Sequence, residues 1–403
     1  MRILILTQYF PPERGAVRRL FEFAKIFQEH GHQVTVLTAM PNYPDGILPE
    51  RYKGKFFVRE KLDGIDVCRS YVLPAPNSRP VRRMVGFLTF LLSSIVNSFR
   101  IKGKFDLVIA SSPPVTTAIA GYLVSRLRRT RYVLELRDLQ PESGVQFGNL
   151  EESLFTRSIR AVMNFLYKRA DRIVSATDGI NDFLREYGIE PRRVITVKSG
   201  VGDNFIFGHS NGVRKKFGWK EKFLVVYSGT LGLVRPLETI VEAARGLAHE
   251  KDIHFVFVGD GQKKAELEKL TAHYQLDNVS FTGLQPLEYI PFFLRASDVL
   301  IECLKDVEVA KMAVPSKVFE YMASGKPIVL GCPDGEASAL LNNAGGALTY
   351  RSSNADELSE LILRLRSGKI DGDRLGQGYH DYIRNNHSRS RWAERYLDLI
   401  DHL

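Results

Sequence analysis

Cysteine is scarce in this chain. Its three cysteines, Cys68, Cys303 and Cys332, lie far apart and form no Cys-x-x-Cys pair, which excludes a disulfide framework and the usual zinc spacings. The nine histidines add no metal-ligand spacing either, so no metal centre is predicted. A reducing compartment, the cytoplasm, fits this composition best.

Several familiar signatures are also missing. The sequence contains no G-x-G-x-x-G and no Walker loop, so neither a dinucleotide site nor an ATPase site is supported. The opening apolar run from Arg2 to Thr7 is too short for a signal peptide. The run from Met84 to Phe99 is too short and too polar to cross a bilayer, since it contains Thr89, Ser93, Ser94 and Asn97.

Positive charge is concentrated in the first half of the chain. The formal net charge is +10, and residues 1–200 contain 31 Lys and Arg against 19 Asp and Glu. Such asymmetry suggests an anionic partner. No nucleic-acid motif accompanies the charge, so an anionic membrane surface ranks above nucleic acid. The basic-flanked segment 79–104 predicts either a helix on such a surface or one buried against a sheet.

Length and periodicity predict two domains. A chain of 403 residues is longer than a single hydrophobic core usually supports. Strand, loop and helix alternate from Arg2 onward, which predicts parallel sheets in an α/β fold. The pattern breaks at Ser199–Asp203, where the charge balance also changes, and then begins anew. We therefore place domains at 1–200 and 201–387.

The stretch VPSKVFEYMASGKPI, residues 314–328, carries the main functional hypothesis. Pro315 and Ser316 are typical of a helix start. The positive end of that helix favours an anion, and Lys317 adds a full charge. Glu320, one turn further along, suits a vicinal diol as a hydrogen-bond acceptor. Diphosphate beside diol indicates a nucleotide sugar.

Other candidates follow predicted strands, where open α/β sheets bind ligands. Gly15 follows the first strand, and the pair Arg137 and Asp138 ends a later one. Gly259 and Gly261 follow a strand of the second domain. By contrast, the Asp-Gly-Asp at 371–373 lies in the tail and is interpreted as a plain turn.

Taken together, several stretches resemble a known family over nearly the whole chain. They are YFPPERGA, GHQVTVLT, VYSGTLGLVRPLETIVEAA, FVFVGDGQKKAELEKL, NVSFTGLQPLEYIP and VPSKVFEYMASGKPI. The chain resembles the GT-B glycosyltransferases, two Rossmann-like domains facing a cleft, and most closely their retaining family-4 branch. The Pro-Ser-Lys variant and the PNYPDG loop look like bacterial transferases of O-antigen, capsule and exopolysaccharide synthesis, including those assigned to fucosamine transfer.

The resemblance implies roles for particular residues. Glu320 matches the family glutamate that holds the ribose diol, and Arg235 falls where a cation contacts the donor diphosphate. The remaining donor-site positions are Gly15, Gly229, Thr230, Gly259, Gly261, Leu284, Pro315, Ser316 and Lys317. The last helix, residues 388–403, is expected to pack back on the first domain.

The chain also departs from the family. Met312 replaces the first glutamate of the E-x7-E motif, and Thr230 stands in place of a phosphate-binding arginine, with Lys317 as a replacement cation. Arg137 and Asp138 occupy the position of a common histidine and are assigned to positioning of the donor sugar or acceptor.

The resulting expectation is retaining transfer of a hexose or N-acetylhexosamine-type sugar from a UDP-sugar to a glycan or lipid-linked acceptor. We expect this transfer to need no metal and no other cofactor, and we expect no nucleic-acid partner. The protein is also expected to contact the plasma membrane peripherally. Two alternatives stay open: a nucleotide-sugar 2-epimerase, and a non-catalytic membrane-associated assembly protein.

Overall fold

The computed structural model describes residues 1–13, 17–202, 205–206 and 212–403. The chain divides into two compact units. The first comprises Met1–Val145, Asn149–Ser199 and Arg389–Leu403, and the second comprises Gln146–Gly148 and Gly200–Ser388. Each unit is an α/β fold built on its own sheet.

The first unit contains an eight-stranded sheet. Its strands are β1 (Arg2–Thr7), β2 (Gln33–Ala39), β3 (Phe57–Leu62), β4 (Ile65–Ser70), β5 (Leu107–Ser112), β6 (Arg131–Leu136), β7 (Arg172–Ser175) and β8 (Val194–Thr196). Their order is β3-β4-β2-β1-β5-β6-β7-β8. Only the edge pair β3 and β4 is antiparallel, as expected where a short connection joins two neighbouring strands.

Helices cover both faces of this sheet. They are α1 (Val17–Glu29), α2 (Pro80–Ser98), α3 (Val115–Arg128), α4 (Glu142–Gln146), α5 (Leu154–Arg169) and α6 (Asp178–Glu186). The last helix of the chain, Arg389–Asp401, belongs to this unit. It packs on α1, since the ring of Tyr396 meets those of Phe23 and Phe27 edge-on, with centroids 6.1 and 5.4 Å apart.

The second unit contains a six-stranded, wholly parallel sheet. Its strands are β9 (Phe223–Ser228), β10 (Ile253–Val258), β11 (Val279–Gly283), β12 (Val299–Cys303), β13 (Ile328–Gly331) and β14 (Leu348–Tyr350). Their order is β11-β10-β9-β12-β13-β14. The order reverses beside β9, and the crevice at the carboxyl ends of such strands is where open α/β sheets bind ligands.

The helices of the second unit are α7 (Val213–Lys216), α8 (Glu238–Gly246), α9 (Lys264–His273), α10 (Ile290–Ala296), α11 (Glu308–Lys311), α12 (Ser316–Ala323), α13 (Glu336–Asn342), α14 (Ala355–Arg366) and α15 (Gly372–Asn386). The final helix of the first unit is numbered α16. Asp371, from the tail Asp-Gly-Asp, is the N-cap of α15 and accepts a hydrogen bond from the Arg374 amide at 2.9 Å.

The sequence patterns explain these elements. Strands β5 and β10 are buried along their full length, as central parallel strands with helices on both faces must be. The predicted α/β class with two Rossmann-like sheets is confirmed. Across the described ranges, no helix combines the length and apolar character that crossing a membrane requires.

Candidate functional site

Two glycine-containing loops meet at the carboxyl ends of β9 and β10. A Cβ on Gly259 would lie 2.0 Å from the carbonyl oxygen of Gly229, and one on Gly261 would lie 2.3 Å from that of Leu231. Both glycines also have positive φ, +141° and +159°, where other residues are strained. The two loops therefore touch through their backbones.

Gly229 makes room for a lysine. A Cβ at this position would lie 2.4 Å from Nζ of Lys317. That ammonium donates a hydrogen bond to the Tyr227 hydroxyl at 2.9 Å and lies 4.0 Å from the centre of the Tyr227 ring. Lys317 is thereby held over the end of β9, with only 12% of its side chain exposed.

Glu302 joins two cations at the end of β12. Its Oε1 lies 3.1 Å from Nε of Arg235, and its Oε2 lies 3.2 Å from Nζ of Lys317. The carboxylate is fully buried, and the side chain of Arg235 is 16% exposed. One buried negative charge thus orients two positive charges, and the cluster retains a net charge of +1 for a further anion.

Helix α12 points its N-terminus at this end of the sheet. Pro315 is its N-cap, and neither it nor Ser316, which is exposed, provides a side-chain cap. Tyr321 fixes the helix to β9, since its hydroxyl accepts from the Ser228 amide at 2.8 Å and donates to the Ser228 carbonyl at 2.9 Å. Glu320, which directly precedes Tyr321 on the helix, is half-buried.

Burial and charge shift the pKa values of the two cations in opposite directions. Burial lowers the pKa of Lys317 to about 8, although Glu302 opposes the change and Arg235 adds to it. Burial also acts to lower the pKa of Arg235, but Glu302 outweighs it, so that pKa rises above its ordinary value. Arg235 is a permanent cation, whereas the charge of Lys317 depends on pH.

Thr230 and Leu284 are exposed residues that follow β9 and β11. The Thr230 carbonyl accepts a hydrogen bond from the Tyr227 hydroxyl at 2.8 Å, which leaves its own side chain exposed. Leu284 directly follows β11 and is 62% exposed. Most of the donor-site residues named from the sequence therefore lie at one end of one sheet, whereas Gly15 lies outside the described residues.

Arg137 and Asp138 belong to the first unit. They follow β6, and Asp138 accepts hydrogen bonds from the Ser143 hydroxyl and from the Leu139 amide, the latter at 2.8 Å. Burial raises the pKa of Asp138, and it lowers the pKa of Arg137 against the opposing charge of Glu135. These bonds show Asp138 bracing the turn that leads into α4.

Sequence reasoning missed Glu302, Tyr227 and Tyr321. A signal for Glu302 was present, because a glutamate in the buried strand VLIEC needs a charged partner. The two tyrosines carried no such signal, since aromatic residues are ordinary in a core. Their hydroxyl partners become evident only when the ends of β9 and α12 are brought together.

The chemistry of this cluster suits a phosphorylated ligand. Two buried cations and a helix N-terminus favour negative charge, and the glycine loops allow close approach to the backbone. Glu320, one turn along the same helix, provides a carboxylate for hydroxyl groups. The arrangement can bind a diphosphate and stabilise charge that develops on it.

Two family models match adjacent parts of the chain. Residues 14–200 match the model described as "Glycosyl transferase 4-like domain". Residues 211–382 match the model described as "Glycosyl transferases group 1". The candidate site on β9, β12 and α12 lies within the second match.

Curated relatives cover most of the chain at low identity. "Probable glycosyltransferase WbjE" of Pseudomonas aeruginosa is 27% identical over 308 residues, 74% of this chain and 76% of the relative. WcaI of Escherichia coli (strain K12), named provisionally as a colanic acid biosynthesis glycosyl transferase, is 26% identical over 346 residues, 82% of this chain and 83% of WcaI.

Solved structures share the fold along the full chain. Anabaena Alr3699/HepE, in complex with UDP and glucose, has a TM-score of 0.75 at 17% identity and covers 100% of both chains. Sucrose-phosphate synthase (tll1590) from Thermosynechococcus elongatus has a TM-score of 0.75 at 15% identity, covering 100% of this chain and 98% of its own. These likenesses place the fold among GT-B glycosyltransferases.

Proposed function

Because this chain is a glycosyltransferase of the GT-B type, we propose that it takes a hexose or N-acetylhexosamine-type sugar from a UDP-sugar. The acceptor is a glycan or lipid-linked sugar of bacterial surface polysaccharide synthesis, and the transfer retains the anomeric configuration without a metal. The observation that carries the proposal is the buried pair Arg235 and Lys317, joined by Glu302 at the start of α12.

Departure of UDP is the step that needs help, because negative charge develops on the β-phosphate as the sugar bond breaks. Arg235 and Lys317 are suitable donors, since Glu302 already fixes both and neither must reorganise as charge develops. The N-terminus of α12 adds its dipole to theirs. Fixed positive charge in this buried setting does what a divalent cation does in metal-dependent transferases.

The rest of the donor fits around this anchor. Glu320 lies three residues beyond Lys317 on α12, and its carboxylate is assigned to the ribose diol. The loop at Gly259 and Gly261 and the exposed Leu284 are assigned to the uracil ring, which needs a flat surface more than a charged one. WbjE and WcaI are named as glycosyltransferases, and the HepE structure holds UDP; both support this assignment.

Retention is proposed together with a leaving-group role in proton transfer. The departing phosphate takes the acceptor proton on the face from which it leaves, so the new bond forms on the same face. Met312, a half-buried residue directly after α11, stands where the family resemblance expects a glutamate for the donor sugar. A thioether cannot replace that charge-assisted hydrogen bond, so the sugar hydroxyls must find other partners.

Calorimetric titration with UDP, ADP and GDP in EDTA tests the donor site. We expect micromolar binding of UDP alone, and about a tenfold loss for Glu320→Ala, which corresponds to about 1.4 kcal/mol. Glu266→Ala, an exposed carboxylate on α9, is the matched control and should bind normally. If no nucleotide binds, or if the control loses as much affinity, the proposed site is wrong.

Product analysis separates the sequence-level alternatives. Incubation with UDP-sugars and no acceptor should give slow hydrolysis to UDP and free sugar, and nuclear magnetic resonance should show that the anomeric configuration is initially retained. Appearance of a 2-epimer of the nucleotide sugar would instead support the epimerase. UDP binding without any turnover across a broad donor and acceptor screen would support the assembly protein.

A further inference from the structure

Helix α2 buries a mostly small and polar face and leaves large apolar side chains exposed. The residues that it buries are small or polar apart from one phenylalanine: Gly86, Phe90, Ser93, Ser94, Asn97 and Ser98. The residues that it exposes are large and apolar: Val81, Val85, Leu88, Leu92 and Val96, followed by Phe99. The helix thus lies against the sheet of its unit and still leaves an apolar stripe uncovered.

Specific hydrogen bonds hold the polar face inward. The Ser93 hydroxyl donates to the Tyr71 carbonyl at 2.6 Å, and the Asn97 amide donates to the Phe56 carbonyl and the Ser70 hydroxyl, both at 3.0 Å. Buried polar groups are costly when unpaired, so these bonds fix the rotation of α2. Exposure of the apolar stripe is therefore built into the packing of the helix.

The stripe continues onto α3 and α5. Among the described residues, twelve of the eighteen exposed large apolar side chains lie on α2, α3 and α5 or directly after α2. Arg128 of α3 donates to the Ile101 carbonyl, just beyond α2, at 2.7 Å. The rings of Tyr122 on α3 and Phe165 on α5 lie 5.4 Å apart. The three helices thus form one surface, here called the α2–α3–α5 face, with α3 in the middle.

The charged residues of these three helices are all basic. Helices α2, α3 and α5 contain no Asp or Glu, whereas they contain eight Arg and Lys: Arg82, Arg83, Arg126, Arg128, Arg157, Arg160, Lys168 and Arg169. Arg157 and Arg160 are paired with glutamates that lie outside these three helices. Arg82, Arg126 and Lys168 are exposed and border the apolar side chains.

A basic cavity lies at one edge of the face. It has a volume of about 510 Å³ and opens at the ends of α3 and α5. Six cations and two carboxylates line it, together with one alanine: Arg126, Lys168, Arg169, Arg172, Arg192, Arg193, Asp171, Glu190 and Ala170. A net positive cavity of this size suits a phosphate-bearing head group.

We propose that the α2–α3–α5 face docks on an anionic lipid bilayer, with the apolar side chains in the interface and the basic cavity on lipid phosphates. A bilayer is favoured because it presents hydrocarbon directly beneath negative charge, which matches an apolar stripe bordered by cations. Helix α2 is about 28 Å long at 1.5 Å per residue, so the contact extends along its whole exposed side. The inference is independent of the donor site, which lies in the other unit.

Vesicle flotation tests the proposal. We expect the protein to float with vesicles of phosphatidylcholine and phosphatidylglycerol (7:3) at least tenfold better than with phosphatidylcholine alone, and to be released by about 0.5 M salt. The double variant Leu88→Gln, Leu92→Gln should lower partitioning about tenfold or more. The double variant Lys168→Gln, Arg169→Gln should bind less to the vesicles that contain phosphatidylglycerol. Its binding to pure phosphatidylcholine vesicles should not change.

Matched controls separate this surface from general effects. Ile47→Gln changes an apolar side chain of the same unit that is 71% exposed, and Lys220→Gln with Lys269→Gln removes two exposed charges of the other unit. Both should float like the parent, and UDP titration should be unchanged in the face variants. The proposal is overturned if the parent does not float, if the controls lose as much binding, or if the leucine variants only dissociate a dimer.

Discussion

Lys317 allows a sharp test of the proposed donor site, because we expect a bound diphosphate to change its charge. Its ammonium is buried, which lowers its pKa to about 8 from the ordinary 10.5. A diphosphate beside it favours the charged form, so we expect the pKa in the complex to return to about 10. Binding of UDP above neutral pH should therefore take up a proton.

The size of the effect follows from these values. At pH 8.5, about a quarter of Lys317 is protonated before binding and nearly all of it afterwards, an uptake of about 0.7 proton per UDP, against about 0.1 at pH 7. The terminal phosphate of UDP, with a pKa near 6, is already ionised at pH 8.5. Affinity should consequently fall between pH 8 and 10, by about sixfold per pH unit at its steepest.

Calorimetric titrations at pH 8.5 in buffers of different ionisation enthalpy measure this uptake directly. Lys317→Arg is the matched control, because a guanidinium stays charged throughout this range, so uptake should vanish while part of the affinity remains. Lys317→Met should bind UDP more weakly than the parent at both pH 7 and pH 8.5. Uptake that persists in Lys317→Arg, or UDP binding to the parent without any uptake, would refute the reasoning.

Three further predictions concern two residues around Lys317 and one buried carboxyl group of the first unit. Gly229→Ala places a Cβ 2.4 Å from the Lys317 ammonium, so UDP affinity should fall at least tenfold while circular dichroism stays native. Glu302→Gln leaves Lys317 and Arg235 without their shared anion, and denaturant unfolding should show a loss of about 3–5 kcal/mol, partly restored by UDP. Glu13 has a pKa raised by burial to about 7, so its folded form holds a proton that the unfolded chain releases at lower pH. Stability should therefore fall as pH rises from about 5 to 8, and less so in Glu13→Gln, as paired unfolding curves would show.

The sequence predicted much of the local structure of the candidate site, because its parts lie close together in the chain. A Pro-Ser start, a following lysine and a glutamate one turn later are read from consecutive residues, and α12 begins at Ser316 as expected. Glu302 was missed because its partners, Arg235 and Lys317, are distant in sequence. Their meeting depends on the order of the strands, which no local pattern records.

Helix α2 illustrates a different limit. Its periodicity predicts an apolar stripe and a polar stripe, but periodicity alone does not say which stripe faces the sheet. The usual rule would bury the leucines. The observed rotation depends on Asn97 and Ser93 finding backbone carbonyls at Phe56 and Tyr71, and those groups come from segments that only the folded sheet brings near.

The backbone contact among the glycine loops has a consequence for how donor preference can change. A Cβ on Gly259 or Gly261 would lie 2.0 or 2.3 Å from a backbone oxygen of the neighbouring loop, so a larger residue at either position would force the two loops apart. These two positions therefore tolerate little variation. Selection for a different donor, in nature or in the laboratory, is therefore expected to change exposed positions such as Thr230 and Leu284 before it changes these glycines.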